Sequence, residues 1–388
     1  FTISLRNWLI EHGYDATIIG RKLFGVRVIK SHDFICVEPG TKLTEPRALH
    51  LPRPIYILSM LITSLFFTLH VIAINRRSRV SIIHAQDTGY GGLSAIMSAK
   101  ILRVPAMISS HGVRYFNLAE ALRGVFGTLS LAFERWLDGV TSRNADLINV
   151  VACSHAKFFA DLGVRKGKIA VIPIGIDTNK FKLGEEVRQA VRGKLDVQND
   201  VLVGFVGRFF AEKNLFTILE SFAQALKYTN KMKLFLIGTG PLESELRTLC
   251  HSRGVDDKVI FTGTRYDVNR LLSALDIFVL PSYSEGCPTA LLEAMASGKA
   301  IISSHIPSIK EIVMHDKEAI LVNPRSVEEL KQAILLLYND SDLRAKLGHN
   351  AEERARFYDI NKSCRRILRV YKKLINMHEV NNEAVVDV

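Results

Sequence analysis

Short apolar runs, four to six residues long, alternate along this chain with longer segments whose apolar residues recur at helical spacing. In the first half the runs are Ala16–Ile19, Val80–His84, Ala106–Ser109, Leu147–Ala152 and Ile169–Ile172. In the second they are Val201–Val206, Lys233–Ile237, Val259–Thr262, Asp276–Leu280, Ala300–Ser303 and Ala319–Val322. Runs of this kind fit strands buried on both faces of a parallel sheet. Helices are predicted between them over Leu215–Tyr228, Leu242–Arg253, Val268–Ala274 and Thr289–Ala296. Strand and helix alternating in this way predict right-handed βαβ units and an α/β fold. The polar, helix-like stretch Asp177–Asp200 interrupts the alternation, and Val201 then opens a new strand that ends in Gly-Arg. The predicted architecture is therefore two doubly wound, Rossmann-like domains, 1–175 and 176–355. They are expected to face each other across a cleft at the carboxyl ends of both sheets, where such folds bind ligands. The last segment, 356–388, is predicted to hold a basic helix near Asn361–Leu374 and a disordered tail. Its Ile367, Leu368, Tyr371 and Leu374 need an apolar partner, and packing back onto the first domain would supply one.

Two further stretches refine the first half. Leu5, Trp8, Leu9 and Ile10 lie near helical spacing, and His12-Gly13 ends that run, so the chain is expected to begin inside a helix. Ile55–Ile74 carries no formal charge and is followed by Arg76, Arg77 and Arg79. Its length would permit a membrane span, but Ser59, Thr63, Ser64, Thr68 and His70 dilute it, and a strand follows within a few residues. A buried or surface-lying helix is the better reading, with the arginines suited to lipid headgroups if it docks on a bilayer.

At 388 residues the chain is too long for one core, which supports two domains. Five cysteines without a CxxC pair exclude a disulfide scaffold and a Cys-rich zinc site, and favour a reducing, cytoplasmic setting. Charge changes the picture more. The net charge is +12, and residues 1–175 carry 21 Lys and Arg against 11 Asp and Glu. A basic first domain calls for an anionic partner: a phosphorylated substrate or an anionic membrane surface such as the inner leaflet. Nucleic acid rests on charge alone and is not expected. No spacing of metal ligands is found, and none of Ser, His and Asp falls into a catalytic set.

The densest candidate chemistry is Ser284-Glu285-Gly286-Cys287-Pro288-Thr289-Ala290, running into Glu293-Ala-Met-Ala-Ser-Gly298. Pro288 suits a helix start and Gly298 a helix stop. Glu285 then lies on the loop at a strand's carboxyl end, and Glu293 about one turn into the helix. The amides of Thr289 and Ala290 would point at an anion. Gly207-Arg208, followed by Lys213, places two cations on another strand-end loop, where both can reach phosphate oxygens. Gly238-Thr239-Gly240-Pro241 is a third glycine-bearing turn, Ser110-His111-Gly112 puts His111 at a strand end, and Gly89-Tyr90-Gly91-Gly92 marks a tight turn.

Together these pieces resemble the family-four retaining glycosyltransferases of the GT-B fold. The resemblance rests on Gly-Arg-x4-Lys at 207–213, Gly-x-Gly-Pro at 238–241, Phe261-Thr262-Gly263, Phe278-Val279-Leu280-Pro281-Ser282 and Glu-x7-Glu at 285–293. Ser110-His111-Gly112 and Val171-Ile172-Pro173-x-Gly175-x-Asp177 add to it. It covers residues 1 to about 375. It also implies an opening strand and a Gly-Gly loop ahead of residue 1, so the sequence reads as an N-terminally truncated fragment.

The resemblance implies a nucleotide-sugar co-substrate, linked to UDP, GDP or ADP, with no resident cofactor or metal. Arg208 and Lys213 would hold the donor diphosphate. Gly286, Cys287, Thr289 and Ala290 would line it, and Glu293 would hold the ribose. Gly263 and Arg265 would border the base. Glu285 would contact the donor sugar, and His111 would line the site near it, as the catalytic pair. Cys287 stands where the family often has Phe. The acceptor would be a hydroxyl of a lipid-linked molecule or a saccharide, in glycolipid, cell-envelope or polysaccharide synthesis. Two rivals share the scaffold: a nucleotide-sugar epimerase and an inactive nucleotide-sugar-binding subunit.

Overall fold

Apolar runs that have neighbours on both faces become the centres of two parallel sheets. The computed structural model describes residues 2–20, 34–38, 53–112 and 125–386, with side chains over 2–17, 61–112 and 132–380. The chain divides into one unit made of Phe1–Gly175 with Ile360–Val388, and a second made of Ile176–Asp359. Where the chain passes from one unit to the other, Ile176 and Asp359 pair as a parallel bridge.

The first unit holds β1 (Ala16–Gly20), β2 (Phe34–Glu38), β3 (Ile82–Ala85), β4 (Ala106–Ser110), β5 (Leu147–Val150) and β6 (Ile169–Val171). They lie side by side in chain order, all parallel. β2 is absent from the strands read from sequence. Helices Arg53–Asn75, Tyr90–Leu102 and Val125–Asn144 cover one face, where Phe67, Val71, Ala95, Ile96 and Leu137 pack on Ile83, Ala85 and Ile108. Strands that follow chain order through right-handed crossovers place their connecting helices on one side, so the other face needs a separate cover. The chain ends supply it. Leu5, Trp8 and Leu9 of helix Thr2–Glu11 and Cys364, Ile367, Tyr371 and Leu374 of helix Ile360–Val386 close over Ile82, Met107 and Ile172. Adjacent residues Ile82 and Ile83, like Met107 and Ile108, go to opposite faces, as the two-residue repeat of a strand requires. Trp8 Nε1 donates to Asn361 Oδ1 at 2.8 Å and pins the two helices together. The last helix extends well past Leu374 because no Gly or Pro interrupts it before Val386, so the segment expected to be a disordered tail is helical.

Helix Arg53–Asn75 realises the uncharged stretch, and among the described residues no helix is long and apolar enough to cross a membrane. Ser64 and Thr68 turn their hydroxyls to the backbone oxygens of Tyr90 and Ser64, at 3.1 and 2.8 Å.

The second unit holds β7 (Val201–Val206), β8 (Met232–Ile237), β9 (Val259–Gly263), β10 (Ile277–Leu280), β11 (Ala300–Ser304) and β12 (Ile320–Val322). Their order is β12-β11-β10-β7-β8-β9, again all parallel. The order reverses between β7 and β10, the doubly wound arrangement in its usual form. The polar stretch ahead of β7 contains helix Glu185–Lys194. Its Arg188 and Arg192 grip Asp276 at 2.5 and 3.1 Å, at the amino end of β10. That fixes the amino end of β10, opposite the end from which its following loop leaves.

Candidate functional site

β7 ends at Gly207-Arg208-Phe209. The Phe209 ring is buried against Phe205 and Phe261, with centroids 6.3 and 6.2 Å apart. The turn at 238–241 lies directly on this segment: Phe209 N donates to Thr239 O at 2.9 Å, and Gly207 N to Ile237 O at 3.0 Å. A Cβ on Gly238, whose φ is +136°, would sit 1.9 Å from the Gly207 oxygen, and one on Gly240 would sit 2.4 Å from the Phe209 oxygen. Backbone meets backbone here, so only glycine fits. Gly238 N also donates to Gly263 O at 3.0 Å, which ties the end of β9 to the same cluster.

After Phe210 the chain makes a short 3-10 turn, Ala211–Lys213, and Asn214 takes a left-handed conformation with φ 60°. Asn214 is buried, and its side-chain amide donates to the oxygens of Pro281 and Pro324 at 3.0 and 2.6 Å. The loop after β7 is thereby stitched to the loop after β10. Tyr283 N adds a bond to Glu212 O at 2.9 Å.

This stitching brings Lys213 to Glu285. Lys213 Nζ lies 2.7 Å from Glu285 Oε1, and both side chains are largely buried. Arg208 behaves differently. Its side chain is 67% exposed, stacks over the Phe210 ring at 4.7 Å and reaches Glu212 only at 3.9 Å, leaving its donors directed outward. Cys287 is buried among the core residues, and Gly286 beside it is half-buried. In helix Thr289–Ala296 the hydrogen-bond ladder begins with Leu291 and Leu292 donating to Pro288 O, so the amides of Thr289 and Ala290 lie ahead of it. Glu293, half-buried, has its carboxyl pushed up to about 7 by burial. Arg265 is committed to a two-pronged bond with Asp267 at 2.8 and 2.7 Å, a partner absent from the sequence reading. That pairing holds the Asp267 carboxyl below its ordinary range.

In the first unit His111 follows β4, and its Nε2 lies 2.8 Å from Gln86 Oε1. Burial lowers its pKa to about 4. Behind it, the ring nitrogens of His84 meet Tyr371 Oη at 2.5 Å and Ser109 Oγ at 2.7 Å. His84 is fully buried, and burial lowers its pKa to about 3, with His111 adding a smaller push. Among the described residues no group of three or more His, Cys, Asp and Glu side chains is placed to share a metal ion.

Comparison with known proteins decides the family. The profile described as Glycosyltransferase Family 4 matches residues 1–180, and that described as Glycosyl transferases group 1 matches residues 187–354. The chain belongs to the family-4 type glycosyltransferases. Among curated relatives, a Campylobacter jejuni N,N'-diacetylbacillosaminyl-diphospho-undecaprenol alpha-1,3-N-acetylgalactosaminyltransferase is 31% identical over 57% of this chain and 59% of its own. A putative teichuronic acid biosynthesis glycosyltransferase of Bacillus subtilis is 28% identical over 65% and 60%. The match thus spans about three-fifths of the length of these two relatives. An Escherichia coli UDP-Gal:alpha-D-GlcNAc-diphosphoundecaprenol alpha-1,3-galactosyltransferase is 26% identical over 69% of each chain. Among solved structures, Anabaena HepE in complex with UDP and glucose superposes with a TM-score of 0.72 over 87% of this chain and 91% of that one, at 20% identity. Sucrose-phosphate synthase from Thermosynechococcus elongatus gives 0.74 over 97% and 93%, at 19% identity. The fold is GT-B.

In this family-4 glycosyltransferase, sequence reasoning singled out the cations and carboxylates but missed the residues that hold them. Asn214 carried a weak signal as a polar residue at a strand-to-helix turn. His84 carried a stronger one, a histidine inside an otherwise apolar strand. Gln86, Ser109 and Tyr371 gave none, because their partners are distant in sequence.

Proposed function

We propose that this protein transfers a sugar from a nucleoside diphosphate to an acceptor hydroxyl, with the anomeric configuration retained. One observation carries the reading. The strand order of the second sheet reverses between β7 and β10, and the loops leaving those two strands hold Arg208, Lys213, Glu285 and the leading amides of helix Thr289–Ala296. A topological switch point is where parallel α/β sheets bind nucleotides, and these groups match an anion carrying a sugar. Arg208 and Lys213, with the amides of Thr289 and Ala290, meet the diphosphate, flanked by the backbone of Gly286 and Cys287. Glu285 contacts the donor sugar, Glu293 the ribose, and the segment from Gly263 to Arg265 borders the base.

In the reaction the bond between the anomeric carbon and the diphosphate oxygen breaks, and the acceptor oxygen bonds to that carbon on the same face. The acceptor proton passes to the departing phosphate oxygen. Fixed cations and dipoles aimed at the charge on the leaving group supply the main stabilisation. Because Lys213 holds Glu285 as a neutralised pair, Glu285 serves as an acceptor for sugar hydroxyls and not as the nucleophile of a double displacement.

The acceptor we propose is lipid-linked and presented at an anionic membrane surface. Leu61, Ile62, Leu65, Phe66 and Leu69 of helix Arg53–Asn75 are each 46% to 58% exposed, and the exposed Arg76, Arg77 and Arg79 follow. An apolar stripe that ends in cations fits a lipid interface. The diphospho-undecaprenol named for two relatives fits such an acceptor.

The test incubates the full chain with UDP-, GDP- and ADP-linked sugars and a polyprenyl-diphosphate saccharide, with and without EDTA, and reads the product's anomeric configuration by NMR. Transfer with retention, unaffected by EDTA, is expected. Epimerised donor without transfer, or an inverted product, would overturn the proposal. Flotation with vesicles tests the membrane part: binding should require anionic lipid and weaken in Phe66→Glu.

A further inference from the structure

Asn214 holds three loops of the second unit's sheet at fixed spacing. It is buried just past Lys213, with φ 60° and ψ 40°. Its amide nitrogen donates to Pro281 O at 3.0 Å and to Pro324 O at 2.6 Å, and its amide oxygen accepts from Thr217 Oγ1 at 2.7 Å. Pro281 directly follows β10 and Pro324 lies just past β12, so one side chain joins the loops that leave β7, β10 and β12. Two carbonyl oxygens demand a nitrogen with two hydrogens, which leaves the amide oxygen for the Thr217 hydroxyl and excludes the flipped amide. The amide is planar, so its two donors set the angle between those carbonyls as well as their distance. Proline fixes φ at each acceptor, and asparagine enters the left-handed region more readily than most residues that carry a side chain. The residues on both sides of Lys213 are thus bonded to the segment that carries Glu285. Asn214 reaches Pro281 through its side chain, and the Glu212 backbone oxygen accepts from Tyr283 N at 2.9 Å. Between these two ties Lys213 Nζ meets Glu285 Oε1 at 2.7 Å. Of the two, the Asn214 tie is the one that depends on a side chain and extends to the loop after β12.

We propose that Asn214 is a positioning residue for the donor site: its amide sets Lys213 against Glu285 and anchors both to the loop after β12. Lys213 meets charge that grows on the departing diphosphate, so a shift in its place weighs more on the transition state than on the bound donor. That consequence rests on the transferase reading given above. The positioning of the pair does not.

The experiment measures the coupling between Lys213→Met and Glu285→Gln by chemical denaturation of the full chain, once in wild type and once in Asn214→Gly. Glycine accepts the left-handed backbone and removes only the amide. The coupling should lose about half of its size or more in the Asn214→Gly background. Transfer kinetics, run where that variant is fully folded, should show kcat lower by about tenfold or more with the donor KM little changed. A lower Tm with coupling and kcat as in wild type overturns the proposal, and so does a lower kcat with the coupling intact. If Asn214→Gly does not fold, Asn214→Asp, which keeps the bond from Thr217 and tolerates the same backbone, decides by the same two measurements. Reduced coupling in a chain that transfers no sugar supports the positioning and counts against the transferase reading alone.

Discussion

Lys213 and Glu285 stand 72 residues apart in sequence and 2.7 Å apart in space, on loops that leave adjacent parallel strands of one sheet. Among the described residues each is the other's ion partner, and both side chains are largely buried, so neither can be removed without exposing the cost of the other. Lys213→Met should destabilise the protein by about 3 kcal/mol, because it leaves a buried carboxylate without its cation. Lys213→Met combined with Glu285→Gln should recover most of that loss while turnover stays low. Chemical denaturation of the two single variants and the double variant measures the coupling, and additive losses would refute it.

Arg208 should separate stability from activity. Its side chain is mostly solvated and reaches its acidic neighbour at only 3.9 Å, so Arg208→Ala should leave Tm within a degree or two of wild type. Turnover should fall about 100-fold or more, on the order of 3 kcal/mol of transition-state stabilisation. Steady-state kinetics beside thermal unfolding checks both halves.

Glu293 gives the second unit a pH signature. Burial raises its carboxyl from 4.5 to about 7, so the protonated form is favoured in the folded state. Its stabilising contribution is complete below the ordinary carboxylate pKa and disappears as pH rises through about 7. Glu293→Gln should therefore match wild type in acid and exceed it in stability at about pH 8. Ribose hydroxyls favour the carboxylate, so nucleotide affinity should rise with pH through about 7 in wild type and stay flat in the variant. Equal stability of the two proteins across that range would contradict the burial argument.

Gly238→Ala should be among the most damaging small substitutions. The new methyl would sit 1.9 Å from the Gly207 oxygen at a φ of +136°, and neither partner is a flexible side chain. About 3 kcal/mol or more of lost stability is expected, measured by denaturation. Gly263→Ala, at φ +68° with nothing within 4 Å of the added methyl, should cost only the backbone strain, about 1 kcal/mol.

The sheets were legible where burial alone decided them. Every strand of the second unit was found because each lies between neighbours or beneath helices, and Val201–Val206 matches residue for residue. The strand Phe34–Glu38 escaped because its run is short and closes on Glu38 and Pro39. Boundaries drifted where periodicity outlasts the hydrogen bonds: apolar residues continue to Tyr228, while helix Leu215 onward ends at Ala225. At the site, residue types and local spacing named the cations and the carboxylates. They could not show that Lys213 meets Glu285 or that Tyr371 meets His84, because those contacts depend on strand register and on how the last helix lies against the sheet. Arg265 was expected to border the base, and that its fork is engaged by Asp267 two residues on could not be read from the sequence.

The most direct measurement is amide hydrogen exchange on the full chain with and without a saturating nucleoside diphosphate sugar. New protection should fall on residues 207–214 and 284–292, and include the amides of Thr289 and Ala290. Protection confined to other segments, or none with any UDP-, GDP- or ADP-linked sugar, would contradict the assignment of the β7 and β10 loops as the donor site.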